Sequence, residues 1–112
     1  MRIIILLFLI LATPAFAIQG DAYTQAIAAH FGKDPQQIAR LFTNGYGRSE
    51  LITMIIISNS ANIDLLNVVR MRKHGARFSA ICAQMKIEWP LVEAQSQAVR
   101  AEIDNSVLSA KN

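Results

Sequence analysis

"LITMIIIS" (residues 51–58) is the stretch whose reading decides the fold. Its run of mostly isoleucine and other apolar residues suits a buried strand as well as a buried helix, because an uninterrupted apolar run carries no period of its own. The rest of the chain favours the helix. Strict apolar–polar alternation is almost absent elsewhere, so a strand here would have no partner. A helix apolar on nearly every side belongs at the centre of a bundle, surrounded by others. The expectation is therefore an all-α protein: a single compact domain of five to six short helices, arranged as stacked helical hairpins.

Working outward, helical spacing recurs on both sides. Upstream, "TNGYGRS" (43–49) breaks the chain, with two glycines that tolerate positive φ and Ser49 as a candidate cap for the next helix. Before it, Asp34 and Pro35 suit the N-cap and first position of a helix striped by Ile38, Leu41 and Phe42. Earlier still, Tyr23, Ile27 and Phe31 stack four apart, with Asp21 as cap and Gly32 as stop. Downstream, "SNSAN" (58–62) reads as a turn with Asn62 as a cap. Ile63, Leu66 and Val69 then share one helical face, with Leu65 and Val68 beside them, and Gly75 ends that helix. Phe78, Ile81, Cys82 and Met85 fall at i, i+3, i+4 and i+7, the amphipathic pattern. Glu88, Trp89 and Pro90 open a last helix, where proline is tolerated only in the first turn. Val92, Val99, Ile103 and Val107 form its buried stripe, Arg100 and Glu102 face out, and "SAKN" (109–112) frays.

A faint repeat runs through these helices. Ile27 precedes Ile38 by eleven residues, Ile55 precedes Leu66 by eleven, and Ile81 precedes Val92 by eleven. Each pair leads from an apolar helix through a polar turn into another, which fits duplicated hairpins or coincidence.

The chain opens "MRIIILLFLILATPAFA" (1–17). One basic residue, an apolar run and an A-x-A site are the three parts of a secretory signal peptide, with cleavage expected after Ala17. The alternative is an uncut anchor, for which the run is short, since a stable span needs about 20 residues. The remaining residues 18–112 are expected to form the single helical domain, soluble and periplasmic or secreted. Without Arg2 they hold ten basic and eight acidic residues, a net charge of about +2. That mild balance is far from that of a dedicated nucleic-acid binder. Cys82 is the only cysteine. It is either buried, as its apolar helical face suggests, or paired with another molecule.

One order of features carries a family likeness. The turn Gly45-Tyr46-Gly47 precedes an acidic residue and an apolar helix (50–57). A polar turn and a helix ending in basic residues and glycine (64–75) follow, and then "FSAICAQMKI" (78–87). Over roughly residues 24–90 this resembles small exported all-helical bacterial proteins of undetermined function. The resemblance implies a compact helical fold and export, and no catalytic residue. The chain departs from the pattern at Phe78, where tryptophan is usual, at Arg77 and Ser79, where glycines flank it, and at Lys86, which replaces a glycine. Those changes predict a looser or more helical turn there.

Arg70, Arg72, Lys73 and Arg77 form the most conspicuous cluster. Two readings fit: an anion-binding patch for lipid or an envelope polymer, or cations in a last turn that interact with free carbonyls. A helix-turn-helix reader is disfavoured, because the second helix would begin with Glu88 and Glu93, which repel phosphates. No metal site is expected, since His30 and His74 lie far apart and there is no cysteine pair. No catalytic residue is expected either, and no cofactor. Asp21, Asp34, Asp64 and Glu88 sit where helix starts stabilise carboxylates. Trp89 and Tyr46, each at a turn beside a helix start, either anchor a partner or staple a turn to the core. The functional expectation is a non-enzymatic binding or interaction module in the cell envelope. Its partner would be an unknown envelope protein or a second copy of itself. The alternative is a binder of anionic lipid or envelope polymer, and no nucleic acid is expected in either case.

Overall fold

The computed structural model describes residues 21–111. The expected leader and its cleavage site at Ala17 lie outside the described residues. Six α-helices and no strand occur among the described residues: α1 (Ala22–Phe31), α2 (Pro35–Thr43), α3 (Arg48–Ala61), α4 (Leu65–Lys73), α5 (Phe78–Gln84) and α6 (Trp89–Lys111). The chain divides into two compact units, Met1–Gly45 and Tyr46–Asn112.

In the first unit α1 packs on α2. Asp21 caps α1 by accepting from the Thr24 amide at 3.0 Å and the Thr24 hydroxyl at 3.1 Å. Asp34 caps α2 through the Gln36 amide at 3.0 Å, and Pro35 occupies the first turn, where its missing N–H costs nothing. Ile27, Ile38 and Leu41 are buried.

In the second unit α3 packs on α4 and α6, and α5 contacts both α4 and α6. All eight residues from Leu51 to Ser58 are buried. The ambiguous stretch is thus the middle of a fourteen-residue helix. That helix reaches further than the sequence suggested. It begins at Arg48 with Gly47 as N-cap, so Ser49 lies inside its first turn rather than capping it. Residues 58–61 remain helical, and Asn62 is the C-cap, left-handed at φ 57°. Asp64 takes the N-cap position of α4, with no side-chain cap bond. The buried face of α4 is Leu65 and Val68, whereas Leu66 is 48% exposed. In α6 the expected Val92, Val99, Ile103 and Val107 are all buried, joined by Ser96. The helix runs on through Lys111 instead of ending before the tail.

The same joint links α1 to α2, α3 to α4 and α5 to α6. A residue in the left-handed region (Gly32, φ 66°; Asn62, φ 57°; Lys86, φ 61°) is followed by one whose amide donates five residues back. These bonds are Lys33 N–H to Ala28 O at 2.8 Å, Ile63 N–H to Ser58 O at 3.0 Å and Ile87 N–H to Cys82 O at 2.8 Å. Each is the six-to-one bond of a Schellman C-cap, which satisfies carbonyls the helix end leaves open. An acid comes next in each case (Asp34, Asp64, Glu88), and then a helix. The joints at Lys33, Ile63 and Ile87 fix the repeat at spacings of 30 and 24 residues (33 to 63 to 87). The middle pair of the eleven-residue repeat is therefore Ile57 and Val68, both fully buried, and not Ile55 and Leu66. The 30-residue match extends past the joint. Gly45 at φ 100° and Gly75 at φ 92° end the nine-residue helices α2 and α4 alike.

Lys86 shows what replaces the missing glycine. The turn is neither looser nor more helical; lysine itself takes the left-handed conformation. That conformation costs an L-residue roughly 1–2 kcal/mol, and glycine gives part of it back as unfolded-chain entropy. Lys86→Gly is expected to stabilise the protein by about 0.5–1 kcal/mol. Thermal unfolding followed by Trp89 fluorescence checks this, and a lowered midpoint would contradict the cap.

Candidate functional site

The start of α3, the end of α4 and the first residues of α5 and α6 converge on a cleft of about 540 Å³ in the second unit. Each element arrives there for a local reason. α3 begins at Arg48, early enough to aim Ser49, Glu50 and Thr53 at it. The C-cap at His74 ends α4 just after Arg72, and the turn through Gly75 brings Phe78 back over that side chain. On α6, Trp89, Glu93, Ser96, Gln97 and Arg100 follow one helical face at i, i+4, i+7, i+8 and i+11.

Arg72 organises one wall. Its Nε and Nη2 donate to Glu50 Oε2 at 3.1 and 2.7 Å, and its Nη1 donates to the Ala76 carbonyl at 2.9 Å. The ion pair is 27 and 28% exposed, so solvent screens part of its attraction. The guanidinium lies 4.3 Å from the centre of the Phe78 ring. Phe78 in turn stacks on Trp89, with centroids 6.0 Å apart and planes 17° from parallel. Arg72, Phe78 and Trp89 thus form a linked cation–aromatic cluster pinned at Arg72 by a carboxylate, a geometry that gains from both cation–π and aromatic contacts.

The floor is a pair of buried hydroxyls. Thr53 Oγ1 donates to the Ser49 carbonyl at 2.9 Å and lies 2.7 Å from Ser96 Oγ. Thr53 has one proton and it is committed, so Ser96 is the donor between the two. At the rim, Arg100 Nη1 donates to Ser49 Oγ at 3.0 Å. Arg48 reaches Asp104 at 3.5 Å farther along α6, an exposed pair of little energetic weight.

The basic cluster does not act as one patch. Arg72 turns into the cleft and is neutralised by Glu50. Arg70 bonds Asn67 Oδ1 at 2.7 Å and borders a second, more apolar groove of about 470 Å³ with Ile63, Met71 and Met85. Lys73 and Arg77 are exposed and line neither. Trp89 is half-buried in the cleft wall. Tyr46 is half-buried at the start of the unit, in neither groove. Helix-end chemistry is also visible, since His74 Nδ1 lies 2.8 Å from the Arg70 carbonyl.

Cys82 is free and fully buried. Burial pushes its thiol above the ordinary range, so at neutral pH it is a protonated, small apolar side chain. His30 lies in the last turn of α1, edge-on to Phe31 at 4.8 Å. Among the described residues no three His, Cys, Asp or Glu side chains gather as metal ligands, and no described helix is long and apolar enough to cross a membrane.

Sequence reasoning located Arg72 and Trp89 but not the company they keep. Glu50, Glu93, Gln97 and Ser96 went unremarked as site residues. One signal was present: Ser96 interrupts an otherwise apolar stripe between Val92 and Val99. A hydroxyl in such a stripe needs a partner on the facing helix.

No family model, curated protein or solved structure matches this chain. The likeness to small exported helical proteins therefore rests on the residues between Gly45 and Ile87 that suggested it.

Proposed function

We propose that this protein is an exported, non-enzymatic binding module of the cell envelope, and that the cleft of its second unit is where it binds. The observation that carries this reading is the cleft's inventory. A pinned aromatic stack lies beside Glu93 and Gln97, polar groups that the packing of α3 against α6 does not use, and beside Arg100, which spends one N–H on Ser49 and keeps the rest. Stability alone does not call for charged and aromatic side chains around an open cavity, whereas recognition sites combine such groups routinely. The leader supports export, and the partner is an envelope component or a second copy.

A second reading keeps Arg70, Lys73 and Arg77 as contacts to an anionic lipid or polymer surface, without Arg72. Their exposure favours it. Two measurements test the pair of readings. The tagged chain, expressed in its envelope, is expected to have a mass that starts at Ile18, and its captured partners should be lost in Arg100→Glu. Capture unchanged by Arg100→Glu would argue against the cleft. Binding to vesicles rich in anionic lipid that collapses with salt would favour the basic side chains.

A further inference from the structure

We infer that the cleft takes a neutral carbohydrate of one or two rings, laid with its C–H face on Trp89 and its hydroxyls toward Glu93 and Arg100. This rests on the reading of the cleft as the binding site and adds the class of ligand.

Charge comes first. Glu50 and Glu93 balance Arg72 and Arg100, so the cleft selects no net charge. A phosphate or polyanion would meet two carboxylates, and a cation would meet two guanidiniums. The polar lining equally disfavours an acyl chain, which would leave these groups without partners.

The spare hydrogen-bonding capacity is specific. Arg72 uses three of its five N–H groups, and both of its bonds to Glu50 fall on Oε2, leaving Oε1 open. Arg100 uses one N–H, on Ser49 Oγ, which keeps its own proton. Among the described residues, the Glu93 carboxylate and the Gln97 amide have no hydrogen bond. Donors and acceptors therefore lie side by side around one cavity. A hydroxyl donates and accepts at once, so a ring carrying several can give its protons to the carboxylates and take protons from the guanidiniums. A free amino acid gathers its donors in one group and its acceptors in another, a poorer match to donors and acceptors that lie side by side.

The aromatic stack supplies the remaining contact. Phe78 contacts the Arg72 guanidinium and lies nearly parallel to the Trp89 indole, which favours one orientation of the indole. A fixed flat apolar surface beside polar groups suits a ligand with one apolar and one polar side. The volume of about 540 Å³ lies within the range of small-molecule sites and leaves room for one or two sugar rings.

Trp89 is the only tryptophan, so its emission reports this site directly. Titration of the chain with cellobiose, maltose and N,N′-diacetylchitobiose should give a saturable change with at least one of them. Glu93→Gln and Arg100→Gln should each weaken it about ten-fold or more while the unfolding midpoint stays put, the loss expected for a charge-assisted bond. Raising salt from about 50 to 500 mM should alter the affinity less than about two-fold, because the ligand is uncharged. No response to any of the three, undiminished binding in both variants, or a response only to charged probes would overturn the assignment. A response to a short zwitterionic peptide with none to the sugars would sink the carbohydrate and leave the cleft as a binding site. Partner capture insensitive to Arg100→Glu would instead remove the cleft.

Discussion

Ile57→Ala should destabilise the second unit by about 2–5 kcal/mol, the range for removing a fully buried branched side chain and leaving a cavity. At about 4–8 °C per kcal/mol for a chain of this size, the midpoint should fall by roughly 10 °C or more. Ile57 is completely buried in α3, and one residue on, Ser58, begins the joint to α4 through its carbonyl. A loss there loosens both the packing and the cap. Val68→Ala, its equivalent across the joint, should also cost more than 1 kcal/mol, whereas Leu66→Ala should stay within about 0.5 kcal/mol, because Leu66 is 48% exposed. Urea unfolding followed by Trp89 emission measures all three, and Ile57→Val supplies a milder variant if alanine is too damaging. If Leu66→Ala cost as much as Val68→Ala, the register of the repeat given by the joints would be wrong.

That register shows what was legible in the sequence. The helical class, four of the six helix starts and the apolar stripe of α6 all follow from caps and spacing, because each has a chemical signal within a few residues. The middle of α3 has none. Ile55, Ile56 and Ile57 are interchangeable to any periodicity argument, and all three are buried. The information lay at the helix end, where Asp64 stands 30 residues after Asp34 and Asn62 stands 30 after Gly32. Asn62 and Lys86 hid the joint, since a left-handed cap is expected of glycine first. The cleft was harder still. Glu50 and Arg72 are 22 residues apart and Thr53 and Ser96 are 43 apart. Nothing local marks such pairs, and only the packing of α3 against α4 and α6 brings them together. The basic cluster misled for the same reason. Arg70 and Arg72 are close in sequence, but two residues is about 200° around a helix, so they border different grooves.

Thr53 and Ser96 offer the second large test, a double-mutant cycle. They are 5 and 6% exposed and share a 2.7 Å hydrogen bond between α3 and α6. Thr53→Val keeps the shape and removes the acceptor that Ser96 bonds in the folded protein. A buried hydroxyl left without a partner costs about 1–3 kcal/mol. Ser96→Ala removes a donor but leaves Thr53 bonded to the Ser49 carbonyl, so its cost should fall at the lower end of that range. With both hydroxyls gone, no buried proton is stranded, and Thr53→Val/Ser96→Ala should recover most of the Thr53→Val loss. The expected coupling is about 1 kcal/mol or more, within the range for residues in direct contact. Additive losses would mean that each hydroxyl finds another partner, such as a helix carbonyl four residues back. The bookkeeping of protons also bears on recognition. Thr53 gives its proton to Ser49 and Ser96 gives its proton to Thr53, so the floor has no donor left for a ligand.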